Sequence, residues 1–325
     1  MTLRIATRQS ALAIAQSRWV ARQLGNHHPG IEVALVPMLT RGDRITSVPL
    51  AQLGGKGLFV SELEAAVRDG QADLAVHSLK DVPAELAPGL EIAAVPERED
   101  ARDVLVSAHG SELDDFAAEA RIGTSSARRI CQLRRHRPDL DYALLRGNVD
   151  TRLRRLEQGR YAAIVLAYAG LNRLNLHDRP LWPLPPAVCI PAVGQGALAL
   201  EARSDDKPTL ELLSCLEHAP SRLAITAERA FLRRTGGDCN VPLAGYAHFE
   251  AGSCLRMSAL VASTNGERYL TTHGKRVLGM EDGRAQARAL GEQLAEELLA
   301  QGAQQLIEQA LTLAARRDDP RSRPS

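Results

Sequence analysis

Over its first two hundred residues the chain alternates short apolar, strand-like runs with stretches of helical period. "LRIAT" is followed by an Ala/Leu/Gln-rich helix pattern, then by "IEVALVPML", by the helix-like "GLFVSELEAAVRDG", and by "DLAVHSL" and "LEIAAVP". Strands that keep such company have helices to cover them, so the pattern predicts α/β layers wound around a sheet. The charged stretch "PEREDARD" at 96–103 reads as a hinge, after which "DVLVSA", "RIGTSSARR", "YALLRGN" and "YAAIVLAYAG" repeat the style in a second unit. "LPPAVCIPAVGQGALALEAR" marks another crossing, and its β-like end has no helix–strand partners nearby, so it is expected to rejoin the first sheet. Two crossings between two lobes leave a cleft where ligands meet loops at the carboxyl ends of strands.

The expected architecture is therefore α/β: two periplasmic-binding-protein-like lobes of type II plus a small C-terminal α+β domain. The boundaries read as 1–96 with 197–215 for the first lobe, 102–190 for the second, and 219–312 for the third unit. That third unit should hold the helix "RLAITAERAFLRR", a glycine turn, three strands and one long amphipathic helix, "AQARALGEQLAEELLAQGAQQLIEQAL". Residues 313–325, polar, charged and proline-containing at their end, are expected to be disordered.

Composition removes several classes of function. With 325 residues, 45% hydrophobic and 24% charged, the chain can build two or three real cores. A formal net charge of +1 gives no general electrostatic case for a nucleic-acid or membrane-surface binder, and 3% aromatic residues offer few stacking platforms. The start, "MTLRIATRQSALAIAQSRWV", lacks the uninterrupted apolar core of a signal peptide, and "YAAIVLAYAGLN" is too short to span a bilayer. Five scattered cysteines suggest neither a disulfide framework nor a CxxC metal site, which fits a reducing cytoplasm. Cys131, Cys189, Cys215 and Cys254 sit among apolar neighbours and read as packing. Cys239, in "TGGDCNVPLAG", stands apart, and its surroundings admit a buried filler, a nucleophile or an attachment point.

Arginines gather where strands end. In "RIGTSSARRICQLRRHR" a Thr124-Ser125-Ser126 turn can cap a helix whose first turn holds Arg128 and Arg129. Cations there oppose the helix dipole at about 0.3–1 kcal/mol each, so the pair suggests an anion held jointly by guanidinium, hydroxyl and N–H groups. The plain alternative, a solvated basic face, suits Arg134, Arg135 and Arg137. "LLRGNVDTRLRR" repeats the device with Arg146, with Asp150 or Thr151 as cap, and with Arg152; Arg8 in "ATRQS" adds another. Bidentate guanidinium groups suit carboxylates or phosphates, which points to a polyanionic small molecule in the cleft.

"DLAVHSLKDVP" sets Ser78, Lys80 and Asp81 at the end of a strand, with Pro83 stopping any immediate helix. Asp81 reads either as an acid/base or as a turn cap; among arginines, a useful carboxylate would face a cationic or proton-donating centre. "GGKGLFVSELE" lacks the spacing of a phosphate loop and reads as a lid carrying Lys56 and Phe59, or as a simple loop leading into a helix. His77 is expected to be a core histidine, and no metal site is expected.

Taken in order, "RIATRQSALA", "TRGD", "GGKGLFVSELE", "DLAVHSLKDVP", "GTSSARR", "LRGNVDTRL", "PAVGQGALALE" and "ERAFLRRTGGDCNVPLAGYA" strongly resemble the hydroxymethylbilane synthase, or porphobilinogen deaminase, family over about residues 3 to 250. The resemblance implies a monomeric cytoplasmic transferase of tetrapyrrole and haem biosynthesis. It joins four porphobilinogen molecules head to tail with loss of ammonia, then releases hydroxymethylbilane. It also implies one dipyrromethane cofactor per chain, held by a thioether to Cys239.

Carried over position by position, the resemblance makes Asp81 catalytic, stabilising the azafulvene left when ammonia departs. It gives Lys80, Ser78, Thr124, Ser126, Arg128, Arg129, Arg146 and Gly147 to the cofactor, and Arg8, Ser10, Ser125, Arg152, Arg173, Gln195, Lys56 and Phe59 to the substrate. The chain departs from the commonest pattern at Asp238, Gln52 and Ser61. Asp238 would raise the thiol pKa of Cys239 and slow cofactor attachment. A non-enzymatic two-lobed binding protein for a small polycarboxylate is the competing reading, and it leaves Asp81 and Cys239 without a purpose.

Overall fold

In the computed structural model, which describes residues 2–44, 57, 60–107, 112–237, 241–250 and 252–318, β1 (Thr2–Arg8) lies between β2 (Glu32–Met38) and β3 (Leu74–Ser78), parallel to both. Leu3 and Ile5 of β1 face α1 (Ala11–His27), where they meet Val20 and Leu24. Ala6 and Ala75 face the opposite way, against Leu63, Ala66 and Val67 of α3 (Ser61–Arg68). Burial on both faces is why these strands read as nearly continuous apolar runs. The sheet continues through β10 (Leu198–Arg203) to β4 (Leu90–Ala94), in the order β2-β1-β3-β10-β4, with β10 antiparallel to both neighbours. The returning segment thus rejoins the first sheet as expected, and α7 (Lys207–Ser214) follows it.

The second sheet runs β7 (Asp141–Ala143), β6 (Arg121–Gly123), β8 (Ala163–Ala167), β5 (Asp103–Ser107), β9 (Leu181–Pro183). Its helices are α4 (Ala127–His136), α5 (Val149–Glu157) and α6 (Tyr168–Arg173). In each sheet a strand fed by a crossing, β10 or β5, runs antiparallel to its neighbours. The two glycines of "VGQG" fit the return crossing into place. A Cβ on Gly194 (φ +74) would stand 2.4 Å from Leu79 Cδ2, and one on Gly196 (φ +87) would stand 2.4 Å from the Glu99 carbonyl. Both need the left-handed backbone that glycine adopts without steric cost.

The third unit is an antiparallel sheet of β11 (Leu243–Phe249), β12 (Cys254–Ala262) and β13 (Tyr269–Val277), packed by α8 (Ala219–Thr235), α9 (Gly283–Ala300) and α10 (Ala303–Asp318). The single long helix expected here is two, broken at Gln301-Gly302, where Gly302 has φ +92. The break lets Leu290, Leu294 and Leu298 of α9 and Leu306, Ile307 and Ala310 of α10 bury in one core, which one straight rod could not do. The tail also needs correction: α10 runs to Asp318, beyond the expected boundary at 313, because its apolar period continues and buries Ala314. The remaining residues of that tail, 319–325, lie outside the described residues.

Candidate active site

β3 ends at Ser78, and one 3-10 turn, Leu79–Asp81, closes its carboxyl end. Leu79 is buried beneath it, which presents Lys80 and Asp81 to the cleft. The same pocket is walled by Arg8, Ser10, Gln16, His77 and Ser78. Ser10 caps α1, its Oγ accepting from the Ala13 N–H at 3.3 Å. Gln16, one and a half turns into α1, reaches inward and donates to Ser78 Oγ at 2.8 Å. Arg8 pairs with Asp43 of the short helix α2 (Arg41–Arg44), whose carboxylate also accepts from Thr40 Oγ1 at 2.7 Å. Burial works to raise the Asp43 carboxyl, but the hydrogen bonds from Arg8 and Thr40 outweigh it and hold it below its ordinary range.

Across the cleft, Ser126 caps α4, accepting from the Arg129 N–H at 3.4 Å, and Thr124 Oγ1 accepts from the Ser126 N–H. The capping turn is as expected, but the anion beside Arg128 and Arg129 is the protein's own Asp103. Arg128 donates to Asp103 Oδ2 at 2.7 Å and Oδ1 at 3.1 Å, and to the Ile190 carbonyl at 2.7 Å. Arg129 donates to Asp103 Oδ1 through Nε at 2.9 Å and to the Val165 carbonyl at 2.8 Å. Gln195 Nε2 adds a third donor at 3.0 Å, and the Cys189 thiol a fourth at 3.2 Å. Burial alone would raise the Asp103 carboxyl; Arg128 and Arg129 overcome that and hold it well below the carboxylate range. Arg128 is thus committed inward, and Cys189, packed in the core as expected, also donates its thiol to this cluster.

Four other cations have no such partner. Among the described residues Lys80, Arg146, Arg152 and Arg173 form no ion pair. Arg146 Nη1 is buried without any hydrogen-bond acceptor, and burial lowers its pKa. Arg152 uses only Nε, donating to the carbonyl of Gly147 (φ +108) at 2.7 Å; burial, then the charges of Arg129 and Arg146, bring it down to about 10. Burial brings Lys80 down to about 8, against the pull of Asp81. Arg173 donates to the Gly196 carbonyl at 2.6 Å and is lowered by burial to about 10. Ser125 is half-buried in the same turn as Ser126. The cap of α5 is Asn148 rather than Asp150 or Thr151, since the helix begins at Val149. Lys56, Phe59, Cys239, Asp238 and Gln52 lie outside the described residues.

His77 is buried as expected, its Nε2 bonded at 2.8 Å to Glu201 Oε2, yet it also borders the pocket. Sequence reading passed over Gln16, Asp43, Asp103 and Glu201. Asp103 ends the charged stretch that reads as a hinge, and Asp43 lies within "TRGD", where the short Thr–x–x–Asp spacing is the available signal.

Fold and site together define a two-lobed α/β protein in which Lys80 and Arg152, cations with no ion-pair partner among the described residues, lie near the Asp81 carboxylate. Comparison with known proteins makes the class specific. The family model "Porphobilinogen deaminase, dipyromethane cofactor binding domain" matches residues 3–211, and "Porphobilinogen deaminase, C-terminal domain" matches 222–300. The porphobilinogen deaminase of Syntrophotalea carbinolica is 52% identical over 305 residues, 94% of this chain and 95% of its own. Among solved structures, the periplasmic aliphatic sulphonate binding protein SsuA of Escherichia coli is 15% identical with a TM-score of 0.35, covering 71% of this chain and 70% of its own. The probable amino-acid ABC transporter extracellular-binding protein ytmK of Bacillus subtilis is 9% identical with a TM-score of 0.38, covering 66% and 90%.

This chain belongs to the porphobilinogen deaminase family. Its activity is that of a transferase of tetrapyrrole biosynthesis, condensing four porphobilinogen molecules with release of ammonia, and its cofactor is dipyrromethane. No helix among the described residues is long and apolar enough to cross a membrane.

Proposed function

We propose that Lys80, Arg146 and Arg152, with the hydroxyls of Ser78, Ser125 and Thr124 and the backbone at Gly147, hold the carboxylates of the dipyrromethane and of the growing chain, and that Asp81 is the group at the reacting centre. The observation that carries this reading is the buried, acceptor-free Nη1 of Arg146 beside Arg152, with the unpaired Lys80 on the wall of the Asp81 pocket. Cations so placed are stable only with anions to meet them, and carboxylates fit their donors. When bound, the dipyrromethane supplies the pyrrole carbon on which the chain grows.

Within this site Arg129 completes the cationic wall while Asp103 fixes its direction, and Arg128 acts as a positioning residue. Arg8 serves the substrate from the other lobe, oriented by Asp43, with Ser10 at the helix N-terminus beside it. Arg173 and Gln195 shape the crossing next to the site. Among the described residues no side chain hydrogen-bonds the Asp81 carboxylate, so it is available to face a pyrrole N–H and to stabilise positive charge spread onto that nitrogen. An incoming carboxylate restores the proton affinity that burial takes from Lys80, so anion binding and protonation reinforce one another. Cys239 tethers the cofactor, and Lys56 and Phe59 serve the substrate. The protein works as a monomer in the cytoplasm and without nucleic acid, the last supported by its near-neutral charge. The first lobe comprises 1–96 and 197–215 and the second 102–190.

Denaturing intact-mass measurement tests the reading: freshly purified protein should carry a covalent increment of two linked pyrrole units, absent from Cys239→Ala. Asp81→Ala should retain the adduct and lose elongation. An unmodified parent mass with no turnover of porphobilinogen would sink the assignment, and normal elongation by Asp81→Ala would remove that residue from the chemistry.

A further inference from the structure

A second titratable group borders the pocket of Asp81 and has no part in holding carboxylates. His77 is 5% exposed, and its only described side-chain partner is Glu201, which is 0% exposed. Glu201 belongs to β10, the antiparallel strand delivered by the return crossing, and its Oε1 is buried with no hydrogen-bond partner. A carboxylate with no exposure and one hydrogen bond is costly as an anion unless the imidazole opposite it is protonated. A proton arriving at the His77–Glu201 contact would meet a buried carboxylate whose second oxygen has no other described donor. Its surroundings are mixed in sign: Glu64 of α3 and Arg229 of α8 face Glu201, while Arg8, Lys80 and Asp81 border the pocket with His77. Burial, then the charge of Glu201, push the Glu64 carboxyl up, which shows how poorly this interior takes a second negative charge.

The established reaction puts one proton in transit at each condensation. The C–N bond of the protonated aminomethyl arm breaks, its electron pair leaving with ammonia, and a C–C bond forms to a ring carbon. That carbon then loses its hydrogen as a proton, the C–H pair returning to the ring, and the proton leaves on ammonia as ammonium. Asp81 is one carboxylate serving both as counter-charge and as carrier. We propose that the His77–Glu201 pair is a proton-holding dyad of this cleft, acting through Asp81 to take up the proton between ring deprotonation and ammonium release. His77 is in this sense a positioning and proton-buffering residue, and the idea rests on Asp81 being the reacting carboxylate.

The first test uses the cofactor-free Cys239→Ala chain with 15N-labelled histidine. Followed from pH 5 to 9, the His77 ring-nitrogen shifts should change, and the change should differ when Asp81→Asn is added. A His77 signal unchanged over that range would overturn the proposal, because a permanently fixed pair cannot accept a proton. The second test uses holoenzyme. His77→Gln keeps a hydrogen bond to Glu201, and Glu201→Gln keeps an acceptor for His77, but neither pair can trade a proton. Each should lower kcat about 100-fold with KM within twofold, and should lose one limb of the kcat–pH profile. Turnover within twofold of the parent with both limbs intact would reject the dyad. Should His77→Gln fail to fold, the titration of the parent histidine still decides. Asp81→Ala measured in parallel separates the two failures: full turnover there would remove the reading of Asp81, whereas full turnover in the His77 variant alone would remove only the dyad.

Discussion

Asp103 neutralises two arginines with one carboxylate, and the arithmetic leaves the helix N-terminus at α4 with one net positive charge to offer. Asp103→Asn would strand Arg128 and Arg129, both 5% exposed, without their counter-charge. Breaking a buried pair this way costs about 3–5 kcal/mol, read as a fall in the urea midpoint at unchanged slope. Because the folded pKa is depressed, the stabilisation is complete above the unfolded value near 4 and fades as pH falls below it, so parent and variant should converge only in acid. Lys80 has the opposite sign. Its folded pKa of about 8 lies below the unfolded value near 10.4, so the charged form weakens the cofactor-free fold at pH 7 and the penalty disappears on going alkaline. In the Cys239→Ala background, Lys80→Met should melt higher than its parent at pH 7, with the gain shrinking between pH 8 and 10.5; a pH-independent difference would mean that Lys80 is solvated. At this scale the sequence reveals cations well and their partners poorly. Arg128 and Arg146 look alike in sequence, each an arginine just beyond a strand, and only the three-dimensional position of Asp103, 25 residues from Arg128, separates a guanidinium paired within the protein from one whose Nη1 is buried without a partner.

Among elements, the turn carrying Lys80 and Asp81 is set by what lies beneath it. Gly194 packs on Leu79 and on the Lys80 backbone, with Lys80 N 3.0 Å from where a Cβ would sit. Gly194→Ala should cost about 1–3 kcal/mol through overpacking and, by shifting the turn, lower kcat by about tenfold or more. Urea unfolding and turnover measured together check it, and a loss of stability with kcat intact would show that the turn is fixed from elsewhere. Alternation of strand and helix patterns made the two lobes and the rejoining of β10 legible, because each strand's apolar run and each helix's period are local properties. The break between α9 and α10 was not legible in the same way. The apolar residues on either side of Gly302 are all compatible with one helix, and it is the shared core of the third unit that requires the chain to turn there.

At the scale of the whole molecule, one side chain clasps the two crossings to the third unit. Glu228 of α8 is fully buried, and its Oε1 accepts from Arg98 Nη1 at 2.6 Å and from the Ala247 N–H at 2.8 Å. Its Oε2 accepts from Arg98 Nη2 at 3.2 Å and from the Gly194 N–H at 2.7 Å. Arg98 lies on the outgoing crossing, Gly194 on the return crossing and Ala247 on β11, so the carboxylate joins both hinge strands to the third unit's sheet. Arg98 Nε continues the contact to the Gln195 carbonyl at 2.8 Å, and Gln195 in turn reaches Asp103. Glu228→Gln preserves shape but replaces two of the four accepted bonds' oxygen with an amide donor, leaving Arg98 without its charge partner. The expected loss is about 3–5 kcal/mol, and its location matters more than its size. Since the clasp is shared between units, its failure should let the third unit melt ahead of the lobes, so calorimetry should resolve two transitions where the parent should show one cooperative endotherm. The parent's single endotherm retained at an unchanged temperature would mean that the apolar contacts around Ile225, Phe231 and Val193, rather than this carboxylate, couple the units.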